Sequence, residues 1–206
     1  LWVTAIIIGA LPLYFSHQGI AFSHAIFEST SGVTTTGATV LVGLDHFPKG
    51  LLLWRSFLCF LGGIGFVGLA LLLLPSLRIG GSKLYQMESS NESEKILPRV
   101  SQIANGIVIS YVGLSGLCIL CYYIGGMSLF DAVNYSMSTI ATAGFAPHDQ
   151  ALDYYNSPVL WLVGCCFMLL ASLPFNLYVK LVLSGFSGSF SCLLYTSPSP
   201  RDQRGS

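Results

Sequence analysis

Threonine and glycine are concentrated in one short stretch of a chain that is otherwise strongly apolar. The stretch reads SGVTTTGATV over residues 31–40 and lies between two long apolar segments. Glycine permits backbone conformations that turn carbonyl oxygens toward one side, because it has no Cβ. Threonine hydroxyls can add oxygen ligands at the same depth. Since backbone carbonyls replace the water shell of a cation in a selectivity filter, the pattern indicates a wall that binds cations.

A second stretch of the same kind follows at a fixed distance of 107 residues. We call residues 35–39 and 142–146 the first and second Thr/Gly segments. A single segment could be a turn between two helices that binds nothing, whereas an internal repeat indicates two copies of one structural unit. The repeat therefore favours the binding interpretation. The identical pairs include Ala25 and Ala132, Ser29 and Ser136, Ser31 and Ser138, Thr35 and Thr142, Gly37 and Gly144, and Trp54 and Trp161.

The elements that carry these segments are predicted to be membrane helices. Only 9% of the residues are charged and 53% are apolar, whereas about a quarter of a soluble domain is charged. Apolar runs of the roughly 20 residues that cross a bilayer occupy residues 51–75, 106–125 and 158–182. Residues 20–32 and 128–140, ahead of the Thr/Gly segments, are too short to span and are predicted to be re-entrant half-helices. The predicted fold class is an all-α polytopic membrane protein.

The repeat divides the chain into two tandem pore units, each a span, a re-entrant pore helix and a second span. The predicted units cover residues 1–75 and 105–187, and residues 76–104 form a linker between them. The linker carries the densest cluster of basic residues, so the positive-inside rule places it in the cytoplasm and the Thr/Gly segments on the outer side. The formal net charge of zero argues against a nucleic-acid partner.

Both ends of the chain depart from this pattern. The chain begins with Leu1 inside an apolar run, without the basic region or cleavage site of a signal peptide, and we interpret it as a fragment. Residues 188–206 are polar and rich in Pro and Ser, and the sequence from Cys192 resembles a translated sequencing adapter. This tail is interpreted as an artefact, with a disordered tail as the alternative.

The two Thr/Gly segments and their surroundings resemble the pore loops of bacterial Trk-type potassium uptake proteins. FESTSGVTTTGATV (residues 27–40) and STIATAGFAPHD (138–149) resemble the first and second filters of the TrkH branch, and LWRSFLCFLGGIGFVGLALLLLP (53–75) resembles the span between them. The resemblance covers residues 1 to about 187. It implies that Thr35, Thr36, Gly37, Ala38 and Thr39 form the first filter wall, and that Thr142, Ala143, Gly144, Phe145 and Ala146 form the second.

The family resemblance carries further implications for architecture and function. It implies four pore units around a pseudo-fourfold axis, of which this chain holds two. It also implies a homodimer of full-length chains in the lipid bilayer of the bacterial inner membrane, a cytoplasmic nucleotide-binding regulatory subunit, and potassium as the transported ion without any cofactor. In this superfamily a glycine in the first filter accompanies potassium preference and a serine accompanies sodium transport, so Gly37 favours potassium.

Three other interpretations remain beside the permease. The chain could be a non-conducting fragment whose repeats only pack, or a relative that passes both sodium and potassium. A membrane enzyme would have to use Cys118-x-x-Cys121 or the G-x-G-x-x-G match at residues 63–68. The cysteines lack companion ligands, and the glycines lie inside an apolar span where small residues allow close helix contact. The sequence therefore predicts that the chain is not an enzyme.

Four polar features outside the segments receive structural interpretations. Glu28 is predicted to accept hydrogen bonds from backbone amides behind the filter, with attraction of ions as the alternative. Ser128 and Asp131 fit a capping box, so Asp131 is predicted to be a cap. Arg55 is predicted to snorkel or to pair with an acid of a loop. His148 and the aspartate after it are predicted to lie in a solvated loop, with a contact at the filter mouth as the alternative.

Overall fold

The computed structural model describes residues 2–16, 18–77, 93–173 and Tyr178. Within these residues the secondary structure is helical, and there is no strand. The all-helical prediction is therefore confirmed for the part of the chain that is described. The six α-helices are α1 (Trp2–Tyr14), α2 (Phe22–Val33), α3 (Lys49–Leu77), α4 (Ser93–Ile124), α5 (Leu129–Ile140) and α6 (Pro158–Ser172), with short 3-10 helices at Leu44–His46 and Ala151–Tyr155.

Helices α2 and α5 are the short helices that precede the two Thr/Gly segments. Each has 12 residues and is therefore about 18 Å long. The N-cap of α5 is Ser128, whose hydroxyl accepts a hydrogen bond from the backbone N–H of Asp131 at 3.1 Å and donates one to the Asp131 carboxylate at 2.7 Å. The predicted cap is confirmed. The N-cap of α2 is Ala21, which has no side-chain acceptor, so the two starts differ.

Two helices contain stretches long and apolar enough to cross a membrane, at Lys49–Phe66 and Asn105–Ile124. Helices α1 and α6 are apolar but shorter, with 13 and 15 residues. Helix α4 begins well before the predicted apolar run at residue 106, because hydropathy marks only the apolar part of a helix, and helical hydrogen bonding continues into polar residues. Most of the predicted linker (residues 78–92) and the tail from residue 188 lie outside the described residues.

The chain contains two compact units by residue contacts. The first comprises residues 1–88 and 111–172, and the second comprises residues 89–110 and 173–206. In the first unit α2 packs against α1 and α3, and α5 packs against α3 and α6. In the second, the described residues 93–110 are helical. The domain boundaries drawn from the repeat remain a prediction.

Equivalent serines attach each of the short helices α2 and α5 to the helix that precedes it in the chain. The hydroxyl of Ser29 on α2 donates to the carbonyl of Ile6 at 2.7 Å, and the hydroxyl of Ser136 on α5 donates to the carbonyl of Ser115 at 2.8 Å. Both serines are fully buried, where an unmade hydrogen bond is costly. The internal repeat therefore extends from the sequence to the way in which the helices are held together.

Candidate functional site

Helix α2 ends in a Schellman motif whose left-handed residue is a threonine. The backbone N–H of Thr36 donates to the carbonyl of Ser31 at 2.9 Å, and the N–H of Thr35 donates to that of Gly32 at 2.9 Å. Thr35 has φ +55°. This pair of bonds, with a left-handed residue after the last helical turn, defines the motif. The first Thr/Gly segment therefore starts at a fixed helix end.

Helix α5 ends in the same motif 107 residues later. The backbone N–H of Ala143 donates to the carbonyl of Ser138 at 2.9 Å, and that of Thr142 donates to Thr139 at 3.0 Å. Thr142 has φ +52°. Each bond joins the repeat equivalents of the residues bonded in α2. The two Thr/Gly segments therefore leave their helices with the same backbone geometry.

Threonine is an unusual choice at this position, because helices that end with a left-handed residue usually have glycine there. A β-branched residue with positive φ is a steric outlier, and such strain costs on the order of 1–3 kcal/mol and is found mainly at functional sites. Both Thr35 and Thr142 adopt this conformation. The repeated strain is evidence that the backbone path here serves a function.

The two glycines of the segments also have positive φ but different surroundings. Gly37 has φ +76° and Gly144 has φ +99°. A Cβ at Gly37 would collide with the carbonyl oxygen of Ala143, whereas a Cβ at Gly144 would meet no atom of the described residues within 4 Å. The segments therefore touch at Gly37, while Gly144 faces open space.

The structure brings both predicted walls to one place. A cleft of about 430 Å³ is bordered by Gly37 and Thr39 from the first segment and by Gly144, Phe145 and Ala146 from the second. The other predicted site residues do not line this cleft, although several are exposed elsewhere. Thr36, Ala38 and Thr142 are exposed, Thr35 is half-buried, and Ala143 is buried.

The hydroxyls of the first segment are mostly engaged with other protein groups. The hydroxyls of Thr34 and Thr36 share a hydrogen bond of 2.8 Å, and that of Thr39 donates to the Glu28 carboxylate at 2.6 Å. In the second segment the side chain of Phe145 is buried. Main-chain carbonyls, together with the hydroxyls of Thr35 and Thr142, are therefore the groups that these residues can offer an ion.

A buried ion pair that sequence reasoning did not find lies behind the first segment. The Arg55 and Glu28 side chains are 2% and 0% exposed, and Arg55 Nε donates to Glu28 Oε2 at 3.0 Å. Glu28 Oε1 accepts from the backbone N–H of Val40 at 2.7 Å, so the predicted role of Glu28 as an amide acceptor is confirmed. The prediction for Arg55 is wrong, because its partner is an acid of the short helix and not of a loop.

The guanidinium of Arg55 contacts both segments. It donates to the hydroxyl of Thr39 at 3.0 Å, and its other terminal nitrogen lies 3.5 Å from the carbonyl oxygen of Ala146. The guanidinium carbon lies 4.4 Å from the centre of the Phe145 ring, within the range of a cation–π interaction. The sequence signal for this ion pair is the presence of two opposite charges, Glu28 and Arg55, in otherwise apolar helices. Buried charges are usually paired.

The loops after the two segments are joined by an aspartate. The Asp149 carboxylate accepts hydrogen bonds from the backbone N–H groups of Gly43 and Leu44 at 3.0 and 3.1 Å. These N–H groups begin the 3-10 helix Leu44–His46, where a carboxylate satisfies free donors. The loop after the second segment is therefore fixed to the loop after the first.

The neighbouring histidine strengthens the same connection. His148 Nδ1 is hydrogen-bonded to the Asp45 carboxylate, and its Nε2 lies 3.4 Å from the carboxylate of Asp131. Its ring stacks on Tyr154 at 3.8 Å, and its side chain is 16% exposed. The prediction of a solvated loop is wrong for His148, because neighbouring acidic and aromatic groups cover it. The hydrogen bond from His148 lowers the pKa of Asp45.

Asp131 also accepts a hydrogen bond from the hydroxyl of Tyr155. Partial burial, together with this bond to the carboxylate, raises the pKa of Tyr155 to about 12. The phenol therefore stays protonated at neutral pH and remains a donor. Asp131 thus holds the N-cap residue Ser128 of α5 and also anchors the 3-10 helix Ala151–Tyr155.

The described residues contain no cluster of three or more His, Cys, Asp or Glu side chains that could hold a metal ion. The five cysteines in that part of the chain are free thiols, and Cys118 is buried. Besides main-chain groups, the cleft is bordered by the charged side chains of Arg55 and Asp149.

Comparison with known proteins identifies the family. The profile of the TrkH family, described as cation transport protein, matches residues 1–185. This chain belongs to the TrkH family. The match includes both Thr/Gly segments and confirms the resemblance seen in the sequence. Membership in a family of transport proteins agrees with the prediction that the chain is not an enzyme.

Several TrkH-family relatives align with most of the chain. It is 41% identical over 180 residues to the Trk system potassium uptake protein TrkI of Halomonas elongata and 39% identical over 180 residues to TrkG of Escherichia coli. It is 39% identical over 189 residues to TrkH of Escherichia coli. These alignments cover between 86% and 90% of the chain and between 37% and 39% of each relative. The chain therefore spans a little over a third of the length of these curated relatives.

A solved TrkH structure has the same fold. The crystal structure of the potassium transporter TrkH from Vibrio parahaemolyticus matches with a TM-score of 0.77 and 36% sequence identity. The match covers 89% of this chain and 36% of that chain. The helical architecture described above is therefore that of a TrkH-family protein.

Proposed function

We propose that this chain supplies two walls of a potassium-selective filter in a Trk-type uptake permease. The observation that carries the proposal is the doubled helix end, in which Thr35 and Thr142 take the same strained conformation ahead of Gly37 and Gly144. Backbone strain clusters at functional sites, and backbone carbonyls are the cation ligands of selectivity filters, so strain at two equivalent sites supports a filter.

The ligands in this proposal are mainly backbone carbonyls. Each segment has positive φ at its first and third residues and negative φ between them, an alternation that would turn successive carbonyl groups toward a common side. The hydroxyl of Thr39 and the side chain of Phe145 are engaged elsewhere, so these residues would contribute carbonyls only. The proposed potassium-binding residues are Thr35, Thr36, Gly37, Ala38 and Thr39, and Thr142, Ala143, Gly144, Phe145 and Ala146.

The membrane arrangement follows from helix length. Helices α2 and α5 are about 18 Å long, whereas the hydrocarbon core is about 30 Å thick, so both are proposed to be re-entrant. Their C-terminal ends point into the Thr/Gly segments, and the negative pole of each helix dipole favours a cation there. Irregular backbone at membrane depth is tolerated where it lines a watery cavity. The proposed pore units are residues 1–75 and 105–187, each with a span on either side of its pore helix.

The proposed setting is the inner membrane of a bacterium. Three relatives named above are Trk system potassium uptake proteins, and on that basis potassium is the proposed ion. Further proposals taken from the family are a homodimer of full-length chains and a cytoplasmic nucleotide-binding regulatory subunit. The linker at residues 76–104, with its basic residues, would lie on the same side as that subunit.

The test is potassium uptake by the complete gene product. The full open reading frame that encodes this chain, taken from its source DNA, is expressed in a bacterium that lacks potassium uptake, and growth at low potassium is measured beside rubidium and sodium influx. We expect rescue by the wild type and a loss of potassium selectivity in Gly37→Ser.

Gly43→Ser is the matched control, because Gly43 has φ +77° but lies outside the Thr/Gly segments, with no described atom within 4 Å of its Cβ position. It should transport like the wild type. Equal sodium and potassium influx in the wild type would favour the sodium- and potassium-permeable alternative. Correct insertion without any cation flux would contradict the permease and favour repeats that only pack.

A further inference from the structure

We propose that Arg55 is a positioning residue that holds the two Thr/Gly segments in register and thereby sets ion discrimination. The inference rests on the proposed function, because discrimination has meaning only if the segments coordinate ions. Its structural half, that one guanidinium couples both segments, can be tested without transport.

The first step concerns the free-energy cost of burying the charge of Arg55. The whole residue is 1% exposed and its counter-ion, Glu28, is 0% exposed. Removing two charges from water is costly, and replacing a buried ion pair by apolar groups is often neutral or stabilising. Stability alone therefore gives little reason to retain the pair. A role in fixing the geometry of the two segments would explain why the buried pair is present.

The second step is the position of the guanidinium relative to the repeat. Its terminal nitrogens reach the Thr39 hydroxyl at 3.0 Å and the Ala146 carbonyl at 3.5 Å. Thr39 and Ala146 are equivalent positions of the two pore units, 107 residues apart. Arg55 therefore bridges the same point of both segments. The planar fork of arginine fits this geometry, because its donors point in fixed directions.

The third step is that the second unit lacks this arrangement. The positions equivalent to Glu28 and Arg55 are Tyr135 and Leu162. In the second unit Ser138 Oγ instead accepts a hydrogen bond from the backbone N–H of Gly144 at 3.0 Å. The equivalent Ser31 Oγ makes no hydrogen bond to a described residue. The ion pair therefore supplies in the first unit a support that a serine supplies in the second.

These steps together assign Arg55 a role in both segments. Glu28 fixes the first segment through Thr39 and Val40, and it orients the guanidinium through Nε. The guanidinium then extends this support to Phe145 and Ala146 of the second segment. Displacing the guanidinium should disturb both segments together.

The main variant is Arg55→Lys in the full-length protein. Lysine keeps the positive charge for Glu28 but lacks the planar fork, so it cannot bridge both segments in the same way. We expect the ratio of potassium to sodium influx per inserted molecule to fall about tenfold, the size expected from losing one hydrogen bond to a charged group. Lys49→Gln is the control, because Lys49 begins the same helix but contacts Phe130. It should keep the wild-type ratio.

Amide hydrogen exchange provides the readout that does not depend on transport. In Arg55→Lys, peptides covering residues 36–41 and residues 142–148 should both exchange faster than in the wild type. Faster exchange at residues 36–41 alone would overturn the proposal, because Arg55 would then support only its own segment. If the wild type prefers potassium and Arg55→Lys has the same ratio of potassium to sodium influx, the proposal is overturned as well.

A second variant keeps the proposal testable if Arg55→Lys folds poorly. The double variant Glu28→Gln, Arg55→Met removes both charges while keeping similar volume, which leaves no unpaired buried ion. If it inserts normally but loses selectivity and exchanges faster in both segments, the positioning role is supported. If wild-type protein shows no potassium preference, the proposed function fails, whereas the exchange comparison still decides whether Arg55 couples the segments.

Discussion

The carbonyl oxygen of Ala143 occupies the space that a side chain at Gly37 would require. Gly37 belongs to the first Thr/Gly segment and Ala143 to the second, so this contact sets how closely the two approach. Both segments also leave their helices through the same hydrogen bonds. The distance between the proposed walls therefore depends on the absence of one methyl group.

Alanine at the glycines of the two Thr/Gly segments should have different effects. Both positions have positive φ, so each substitution carries a backbone cost of about 1–2 kcal/mol. Gly37→Ala also forces the Ala143 backbone to move, whereas Gly144→Ala projects into open space. We expect Gly37→Ala to lower both the thermal stability and the ion selectivity of the purified full-length protein. Gly144→Ala should have a thermal stability close to that of Gly43→Ala. Its main defect should be a lower rubidium influx. Equal loss of stability in Gly37→Ala and Gly144→Ala would contradict the close approach of Gly37 to Ala143.

Glycine at Thr35 should be tolerated better than glycine at Thr36. Replacement by glycine raises the conformational entropy of the unfolded chain at either position, but only Thr35 has positive φ. Relief of this strain should make Thr35→Gly about 1 kcal/mol more stable than Thr36→Gly. Thermal unfolding of the two variants, compared at matched detergent and salt, measures the difference. A less stable Thr35→Gly would mean that the left-handed threonine carries no strain.

Equivalent serines should respond differently to alanine. Ser138 Oγ accepts a hydrogen bond from Gly144, whereas Ser31 Oγ makes none to a described residue. Both serines are buried. Ser138→Ala should therefore reduce the free energy of unfolding by about 1 kcal/mol, and Ser31→Ala should leave it unchanged or raise it. Unfolding curves of both variants test this, and a larger loss in Ser31→Ala would contradict it.

The contact between Asp45 and His148 predicts sensitivity to acid. The hydrogen bond from His148 lowers the pKa of Asp45 in the folded protein. A lowered pKa gives stability that is present above the unfolded pKa, about 3.9, and is lost as the pH falls through the folded value. Thermal stability of the wild type should therefore decline more steeply below about pH 4 than that of Asp45→Asn.

Asp153→Asn is the matched control for this experiment. Asp153 is an exposed aspartate of the 3-10 helix Ala151–Tyr155, and its removal should leave the acid slope of the wild type unchanged. Identical slopes in the wild type and Asp45→Asn would show that the contact with His148 does not stabilise the folded protein.

Local patterns predicted the parts of the site that depend on neighbouring residues. The cap at Ser128 and the amide acceptor Glu28 could be inferred because their partners lie within about one turn or one short loop. The repeat located both Thr/Gly segments because the same backbone task recurs with similar residues. These features follow from propensity and spacing, which a single sequence displays.

Contacts between distant parts of the chain were not predictable in the same way. Arg55 reaches Ala146, and Asp149 reaches Gly43, across about half of the chain. Their formation depends on how α3 packs against α5, which periodicity does not specify. His148 was assigned to solvent for the same reason, since its covering groups come from Asp45 and from Tyr154. Only the general rule that buried charges need partners pointed toward Arg55.

The Schellman ends of α2 and α5 have a consequence for how duplicated units diverge. Their defining bonds join main-chain atoms, so TTTGA and ATAGF follow the same turn although only two of five residues agree. Side chains that tolerate the left-handed conformation at this turn can therefore be exchanged without loss of its hydrogen bonds. The side chains that distinguish one unit from the other can change, as at the equivalent positions Arg55 and Leu162. The common origin of the two units is thus visible in their main-chain turns, and their divergence is visible in the side chains behind those turns.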